Sequence, residues 1–248
     1  MYLIMHGHVS SLMSSPDGDW GLFEEPADFR PPTPPPTTVE ESLPGEDSPL
    51  RIRLVGSHPL WGQYVWNAAP TLCNYLHANP SLIQGRSVLE LGAAAGVPSI
   101  WSARHGAARV VATDYPDPDL LNNLRVNMEL AGDAGRVEGY IWGADPAPLL
   151  SEGQYDVVFM SDLIFNHQAH AALLNTCDSC LKDGAPALVF FSHHRPHLAD
   201  RDMAFFSLAE KRGYTCTQVG SWRVQPMFPE DPGDETVRAT VQGWMIRQ

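Results

Sequence analysis

The chain has 248 residues, of which 44% are hydrophobic, and this suits one large α/β domain or one domain with an attached tail. Its 16 Lys and Arg residues are outnumbered by 29 Asp and Glu residues. The resulting net charge of −13 argues against nucleic acid as a partner, because backbone phosphates require clustered cations. With four cysteines, no basic leader and no long apolar run, the sequence predicts a cytoplasmic protein without disulfides, signal peptide or membrane partner.

Residues 1–49 differ in composition from the rest of the chain. They contain nine prolines, nine acidic residues and one basic residue, Arg30, and therefore carry −8 of the net charge. This composition predicts a disordered, Pro-rich acidic tail, followed by a folded domain over residues 50–248. Aromatic residues are interspersed with acids from residue 20 onward. Two interpretations stay open: a passive solvated tail, or a segment that docks on the domain or on a cationic partner.

From residue 86 onward, short apolar segments alternate with amphipathic ones. The predicted strands cover residues 86–91, 109–114, 136–142, 155–162, 186–191, 214–222 and 239–246. The predicted helices cover residues 97–106, 119–132, 168–181 and 200–213. Such alternation indicates parallel strands covered on both faces, and right-handed crossovers then make the sheet doubly wound. No helix separates the last two strands, so these are predicted to pair as a C-terminal antiparallel hairpin. The predicted fold class is therefore α/β, with a doubly wound, mostly parallel, Rossmann-like sheet of seven strands that ends in this hairpin.

The first of these strands ends in Glu90 and runs into a loop of small residues that begins Gly92-Ala93-Ala94. In an open parallel sheet, ligands bind beyond the carboxyl ends of the strands, where this loop lies. Its G-x-x-x-G spacing differs from the G-x-G-x-x-G of dinucleotide loops, and Glu90 would repel a pyrophosphate. A ligand with a cationic amino-acid end and an adenosine end, such as S-adenosylmethionine, fits better.

The second strand ends in Asp114, 22 residues beyond Gly92. A carboxylate at this position can accept hydrogen bonds from both ribose hydroxyls of a nucleoside, as a comparable acid does in nucleotide-binding folds. Taken alone, Asp114 could be an ordinary surface acid. Together with the glycine loop it indicates an adenosine-binding site.

These strings resemble a known enzyme superfamily. VLELGAAAG with ATDYPD is similar to the class I, seven-strand S-adenosylmethionine-dependent methyltransferases. More narrowly, four longer strings resemble the fungal elongation factor 1-alpha N-terminal and lysine methyltransferases: LVGSHPLWGQYVWNAA (54–69), SDLIFNH (161–167), FFSHHRP (190–196) and GLFEEPADFRPPTPPPT (21–37). These enzymes are relatives of the family 16 lysine methyltransferases once described as nicotinamide N-methyltransferase-like. The resemblance spans roughly residues 20–248, so we predict no role for residues 1–12.

The resemblance implies positions for the methyl donor. Trp66 would lie against it, Gly92, Ala93 and Ala94 would line its amino-acid end, and Asp114 would hold its ribose. Trp142 would border the adenine and Ser161 the sulfonium. An indole face is a good wall for either group. Trp61 could be a further donor contact or a structural residue, and for Trp101, Trp222 and Trp244 a core role is expected.

The acceptor site is predicted at the end of the fourth strand. Asp162 can orient the N–H groups of an amine, and Phe165 offers an aromatic face for its growing positive charge. The pair resembles the D-x-x-F/Y motif of this methyltransferase group. Asn166 is interpreted as the N-cap of the next helix.

The string HHRPH, residues 193–197, has the composition of a metal site. Adjacent histidines followed by Arg-Pro rarely converge on one ion, so we expect no metal here. The loop instead follows a strand end, where His193 or Arg195 could contact the acceptor at its rim.

Together these features predict an S-adenosylmethionine-dependent protein N-methyltransferase, with a monomer expected. The resemblance implies the N-terminal α-amine and an adjacent lysine of translation elongation factor 1-alpha as its substrate. The alternatives are a nicotinamide-type small-amine N-methyltransferase, which a closed pocket would favour over an open groove, and a noncatalytic binding module that keeps the fold.

Overall fold

The computed structural model describes residues 34–132 and 134–248. The strands are β1 (Thr37–Glu41), β2 (Leu50–Leu54), β3 (Ser87–Leu91), β4 (Arg109–Asp114), β5 (Arg136–Gly139), β6 (Val157–Ser161), β7 (Ala187–Ser192), β8 (Thr215–Arg223) and β9 (Thr240–Arg247). The helices are α1 (Ala68–Ala78), α2 (Val97–Arg104), α3 (Pro118–Leu130), α4 (His170–Cys180), α5 (Ala199–Lys211) and α6 (Glu235–Arg238). No helix in these two ranges is both long and apolar enough to cross a bilayer.

Seven strands form the central sheet in the order β5-β4-β3-β6-β7-β9-β8. The five strands from β5 to β7 are parallel, whereas β9 runs antiparallel to both β7 and β8. The predicted fold class and the C-terminal antiparallel hairpin are therefore confirmed. Strand order reverses between β3 and β6, and the carboxyl ends of these strands mark the expected ligand position in such a sheet.

Both faces of the sheet are covered by apolar layers. Along β3, Val88 packs in the layer that contains α1, α2 and α3, while Leu89 and Leu91 pack in the layer with α4 and α5. The side chains of a strand alternate between faces, so a strand buried on both sides reads as a continuous apolar run. Glu90 interrupts that run on the α2 side, and its buried carboxyl group requires hydrogen-bond partners, which are described below.

The folded unit begins before the boundary predicted from composition. Strand β1 pairs antiparallel with β2 from Thr37↔Leu54 to Glu41↔Leu50. In the loop between them Leu43 is buried, the Trp101 indole N–H donates to the Pro44 carbonyl at 2.9 Å, and Glu46 lies 2.6 Å from Arg104. The prediction of a tail through residue 49 is therefore wrong for residues 37–49, because cross-strand pairing and one buried leucine outweigh the polar composition. Residues 1–33, including the acidic–aromatic segment, lie outside the described residues.

Two N-terminal deletions are expected to differ sharply in stability. Removing residues 1–48 strips β1, Leu43 and Glu46, which we expect to lower the free energy of unfolding by about 3 kcal/mol. At about 2–4 °C per kcal/mol for a chain of this size, Tm should fall by roughly 6–12 °C. Removing residues 1–33 disturbs none of these contacts and serves as the control in the same thermal melt. Equal Tm values for the two deletions would contradict a structural role for the hairpin.

Candidate active site

A cavity of about 390 Å³ opens where β3, β4 and β6 end. Of the residues predicted to contact donor or acceptor, eight line it: Trp66, Gly92, Ala94, Asp114, Trp142, Ser161, Asp162 and Phe165. The other two, Glu90 and Ala93, line a smaller cavity of about 30 Å³ that shares Trp66, Gly92, Ala94 and Ser161 with the first. The fold thus brings all ten predicted residues to one place.

The backbone of the glycine loop is held in a left-handed conformation. Gly92 has φ +59°, Ala94 φ +48° and Gly96 φ +79°. A Cβ atom at Gly92 would lie 2.6 Å from Cδ2 of Leu163, so any larger residue would collide with the wall of the cavity. The absence of side chains here lets a ligand approach the loop backbone closely.

Glu90 is buried beneath this loop and caps helix α2. Its Oε2 atom accepts hydrogen bonds from the Ser99 backbone N–H at 2.9 Å and from the Ser99 hydroxyl at 2.5 Å. Burial raises the pKa of Glu90 to about 8, although the two bonds from Ser99 oppose the shift. A carboxylate at a helix N-terminus satisfies backbone donors that lack an intrahelical partner. Glu90 therefore ties the start of α2 to the end of β3 as well as bordering the smaller cavity.

Asp114 links the end of β4 to the glycine loop. Oδ2 accepts from the Ala94 N–H at 2.6 Å, and Oδ1 accepts from the Tyr115 N–H at 2.7 Å. The residue is only 9% exposed, and burial raises its pKa despite these bonds. Asp114 is therefore not an ordinary surface acid but is buried at the cavity wall. Each carboxylate oxygen has a second lone pair that can still accept a hydrogen bond.

Asp162 is held in a strained and buried position at the end of β6. Its backbone has φ +54°, in the left-handed region. Oδ1 accepts from the Ser192 N–H and contacts Nε2 of His194, both at 3.0 Å. Among the described residues Oδ2 has no hydrogen-bond partner, although it is buried. Strain and an unsatisfied buried oxygen are features expected of a functional site.

His194 is a site residue that sequence reasoning missed. Its ring also packs edge-on against Trp66, with centroids 5.0 Å apart. Burial alone would lower the pKa of His194, but the carboxylates of Asp162, Asp202 and Asp231 outweigh it and raise the pKa. The string HHRPH singled out the right loop without telling which histidine contacts Asp162.

His194 and its neighbours in that loop are not among the described residues that line the cavity. His193 is buried, and its Nδ1 atom lies 2.7 Å from Oδ2 of Asp202. Oδ1 of Asp202 lies 2.6 Å from Nε2 of His167. Arg195 is exposed beyond it. The prediction of His193 or Arg195 at the acceptor rim is therefore not supported by their positions. The N-cap predicted at Asn166 is also wrong, since its side chain makes no capping hydrogen bond and α4 begins only at His170.

Replacing His194 by Gln is expected to remove a pH-dependent contribution to stability. A raised pKa means that the ion pair with Asp162 stabilises the fold fully below the ordinary histidine value of 6.5, and that this contribution is lost as pH rises through the raised pKa. Chemical denaturation across pH should show wild type exceeding the variant by about 1 kcal/mol at acidic pH, with the gap closing at alkaline pH. A gap that is constant with pH would contradict the ion pair.

The sequence profile described as lysine methyltransferase matches residues 46–212. The chain belongs to the lysine methyltransferase family. The resemblance to class I methyltransferases is thereby confirmed, and the chain is an enzyme of the transferase class. Similar proteins cover almost its whole length. One from Schizosaccharomyces pombe, called protein N-terminal and lysine N-methyltransferase efm7, is 43% identical over 242 residues, which cover 92% of this chain and 94% of the relative.

A protein of the same name from Neurospora crassa is 40% identical and covers 92% of this chain and 87% of its own length. Solved structures share the fold of this lysine methyltransferase family member. Pyrococcus horikoshii TYW2 in complex with MeSAdo matches with a TM-score of 0.54 and 16% identity, covering 86% of this chain and 72% of that one. Precorrin-6y C5,15-methyltransferase from Geobacter metallireducens matches with a TM-score of 0.52 and 14% identity, covering 77% and 98%.

Proposed function

We propose that this chain is an S-adenosylmethionine-dependent protein N-methyltransferase that modifies the N-terminal α-amine and an adjacent lysine of translation elongation factor 1-alpha. The names of the relatives from S. pombe and N. crassa support the two kinds of acceptor amine. One observation carries the proposal. A single cavity is lined by the glycine loop and Asp114 on one side and by Asp162 on the other.

The residues present fit a methyl donor of this type. Gly92 and Ala94 leave room at the loop backbone, and Asp114 retains acceptor capacity for ribose hydroxyls. Ser161 lines both cavities, and its buried hydroxyl has no hydrogen-bond partner among the described residues. Trp66 and Trp142 supply aromatic walls. When bound, S-adenosylmethionine supplies a methyl group activated on a sulfonium.

The protein contributes alignment and charge to the transfer. Displacement at a methyl carbon requires the nucleophile in line with the leaving group, and holding both in one cavity removes most of the entropic cost. Asp162 Oδ2 accepts an N–H of the acceptor amine and directs the nitrogen lone pair toward the donor side. Oδ1 is fixed by Ser192 and His194, so the carboxylate cannot rotate away.

The α-amine is the easier of the two acceptors to present as a neutral nucleophile. Its reference pKa is about 7.7–8.0, against about 10.4 for a lysine side chain. The four cysteines are free, which suits the reducing cytoplasm where a translation factor would be met. We propose a cytoplasmic monomer, and light scattering on the purified chain tests the oligomeric state.

Transfer of labelled methyl groups tests the proposal. The purified chain is incubated with labelled S-adenosylmethionine and peptides that copy the elongation factor N-terminus, one with a free and one with an acetylated α-amine. We expect label in the free peptide and a large loss in the acetylated one. Nicotinamide in a parallel reaction tests the small-amine alternative. Label in nicotinamide but in neither peptide would overturn the proposal, and label in no acceptor would favour the binding module.

A further inference from the structure

Exposed large hydrophobic side chains concentrate around the cavity. Among the described residues six such side chains are exposed, and all but Leu130 line the cavity: Leu60, Trp61, Tyr115, Ile141 and Phe165. Contiguous exposed apolar surface on a folded domain commonly marks a binding site. Trp61, for which the sequence left a donor contact or a structural role open, is 43% exposed and is therefore not a core residue.

Trp61 and Phe165 meet across the two segments that flank the acceptor site. Their rings pack edge to face, with centroids 5.6 Å apart and an interplanar angle of 76°. Phe165 follows Asp162 by three residues, so the pair stands beside the buried carboxylate. An amine that reaches Asp162 from solvent passes these rings.

The backbone at Trp61 is held in a conformation that tryptophan rarely adopts. Its φ is +56°. Its N–H donates to the His58 carbonyl at 3.0 Å, and its own carbonyl accepts from the Trp66 indole N–H at 3.2 Å. Backbone strain of this kind persists where surrounding contacts impose it, and it clusters at ligand sites. The strain fixes the Trp61 ring relative to Trp66, which lines the same cavity.

The charge of the cavity complements a cation. Among the described residues its lining includes two carboxylates, Asp114 and Asp162, and no Lys, Arg or His. Each methyl group added to an amine removes one N–H donor, so a fully methylated amine can no longer hydrogen-bond to Asp162. The faces of aromatic rings attract such ammonium groups without any hydrogen bond.

From these observations we propose that Trp61 and Phe165 form the acceptor portal and that Trp61 determines how far methylation proceeds. The portal holds the cationic amine at the end of an aliphatic or peptide chain when that amine is partly methylated. This inference rests on the proposed function. As methyl groups replace N–H donors, the portal takes over from Asp162 in holding the amine, which gives up one proton to solvent before each further transfer.

The test compares Trp61→Ala with Trp61→Phe, and uses Leu130→Ala as a control at an exposed leucine away from the cavity. With a free-amine peptide, Trp61→Ala should raise KM about tenfold and shift the products, measured by mass spectrometry, from trimethylated toward monomethylated. Trp61→Phe and Leu130→Ala should keep the wild-type product distribution. Calorimetry with S-adenosylhomocysteine should give affinities within twofold for all variants. An unchanged KM and product distribution in Trp61→Ala, or an equal loss of donor-side affinity, would overturn the portal.

A separate binding measurement distinguishes failure of the portal from failure of the proposed function. A peptide with a trimethylated terminal amine is titrated into wild type and Trp61→Ala, each saturated with S-adenosylhomocysteine. We expect binding by wild type and at least tenfold weaker binding by the variant. Equal binding, or no binding by wild type, overturns the portal, whereas the absence of methyl transfer by wild type to any peptide overturns the proposed function.

Discussion

Replacing Asp162 by Asn is expected to lower kcat by about 100-fold or more while donor affinity changes only a few-fold. Positioned carboxylates that orient a reacting amine contribute rate factors of this order. The change is nearly isosteric, and Asn tolerates the left-handed backbone that this position has. Its amide oxygen can keep the hydrogen bond from the Ser192 N–H. The loss should therefore fall on the oxygen that faces the acceptor, and not on the fold.

Single-turnover kinetics and calorimetry with S-adenosylhomocysteine separate the two effects. Asp183→Asn provides the matched control, because Asp183 is an exposed acid just before β7, at the opposite end of the sheet from the cavity. It should keep wild-type rate and affinity. If Asp162→Asn reduced donor affinity as much as it reduced the rate, the assignment of Asp162 to the acceptor would be wrong.

The central strands were predictable because they are buried on both faces. Strand β4 was predicted over its full length, and β3 and β7 were each predicted to within one residue at either end. Strand β1, with the sequence TTVEE, was missed because one of its faces is exposed and its composition is polar. Only its pairing with β2 makes it a strand, and that partner lies across a loop of eight residues.

The sequence predicted where the candidate site lies, but not which atoms contact one another there. A strand-end carboxylate reads the same in sequence whether it faces a ligand, as we propose for Asp162, or caps a helix, as Glu90 does with Ser99. The contact between His194 and Asp162 could not be predicted from sequence, because it depends on the pairing of β7 with β6. Trp61 was missed for a similar reason, because no sequence pattern predicts which tryptophan carries a left-handed backbone at a cavity mouth.

Replacing Asp114 by Ala is expected to weaken donor binding about 100-fold. Two ribose hydroxyls would lose a charged acceptor, at about 1.5 kcal/mol for each hydrogen bond, and each 1.4 kcal/mol corresponds to a tenfold change. The same substitution leaves the Ala94 N–H without its partner in the glycine loop. Tm should therefore fall by a few degrees, because an unsatisfied backbone donor costs about 1–3 kcal/mol. Calorimetry and thermal melts measure the two effects separately.

A donor analogue without the ribose hydroxyls decides whether Asp114 acts on the ribose or only through the loop. If it accepts the hydroxyl hydrogens, S-adenosylhomocysteine lacking both hydroxyls should bind wild type about 100-fold more weakly than the parent compound, and should lose little further affinity in Asp114→Ala. The two changes are then coupled, as expected for groups in direct contact. Additive losses would mean that Asp114 serves the donor only by holding Ala94 and the glycine loop in place.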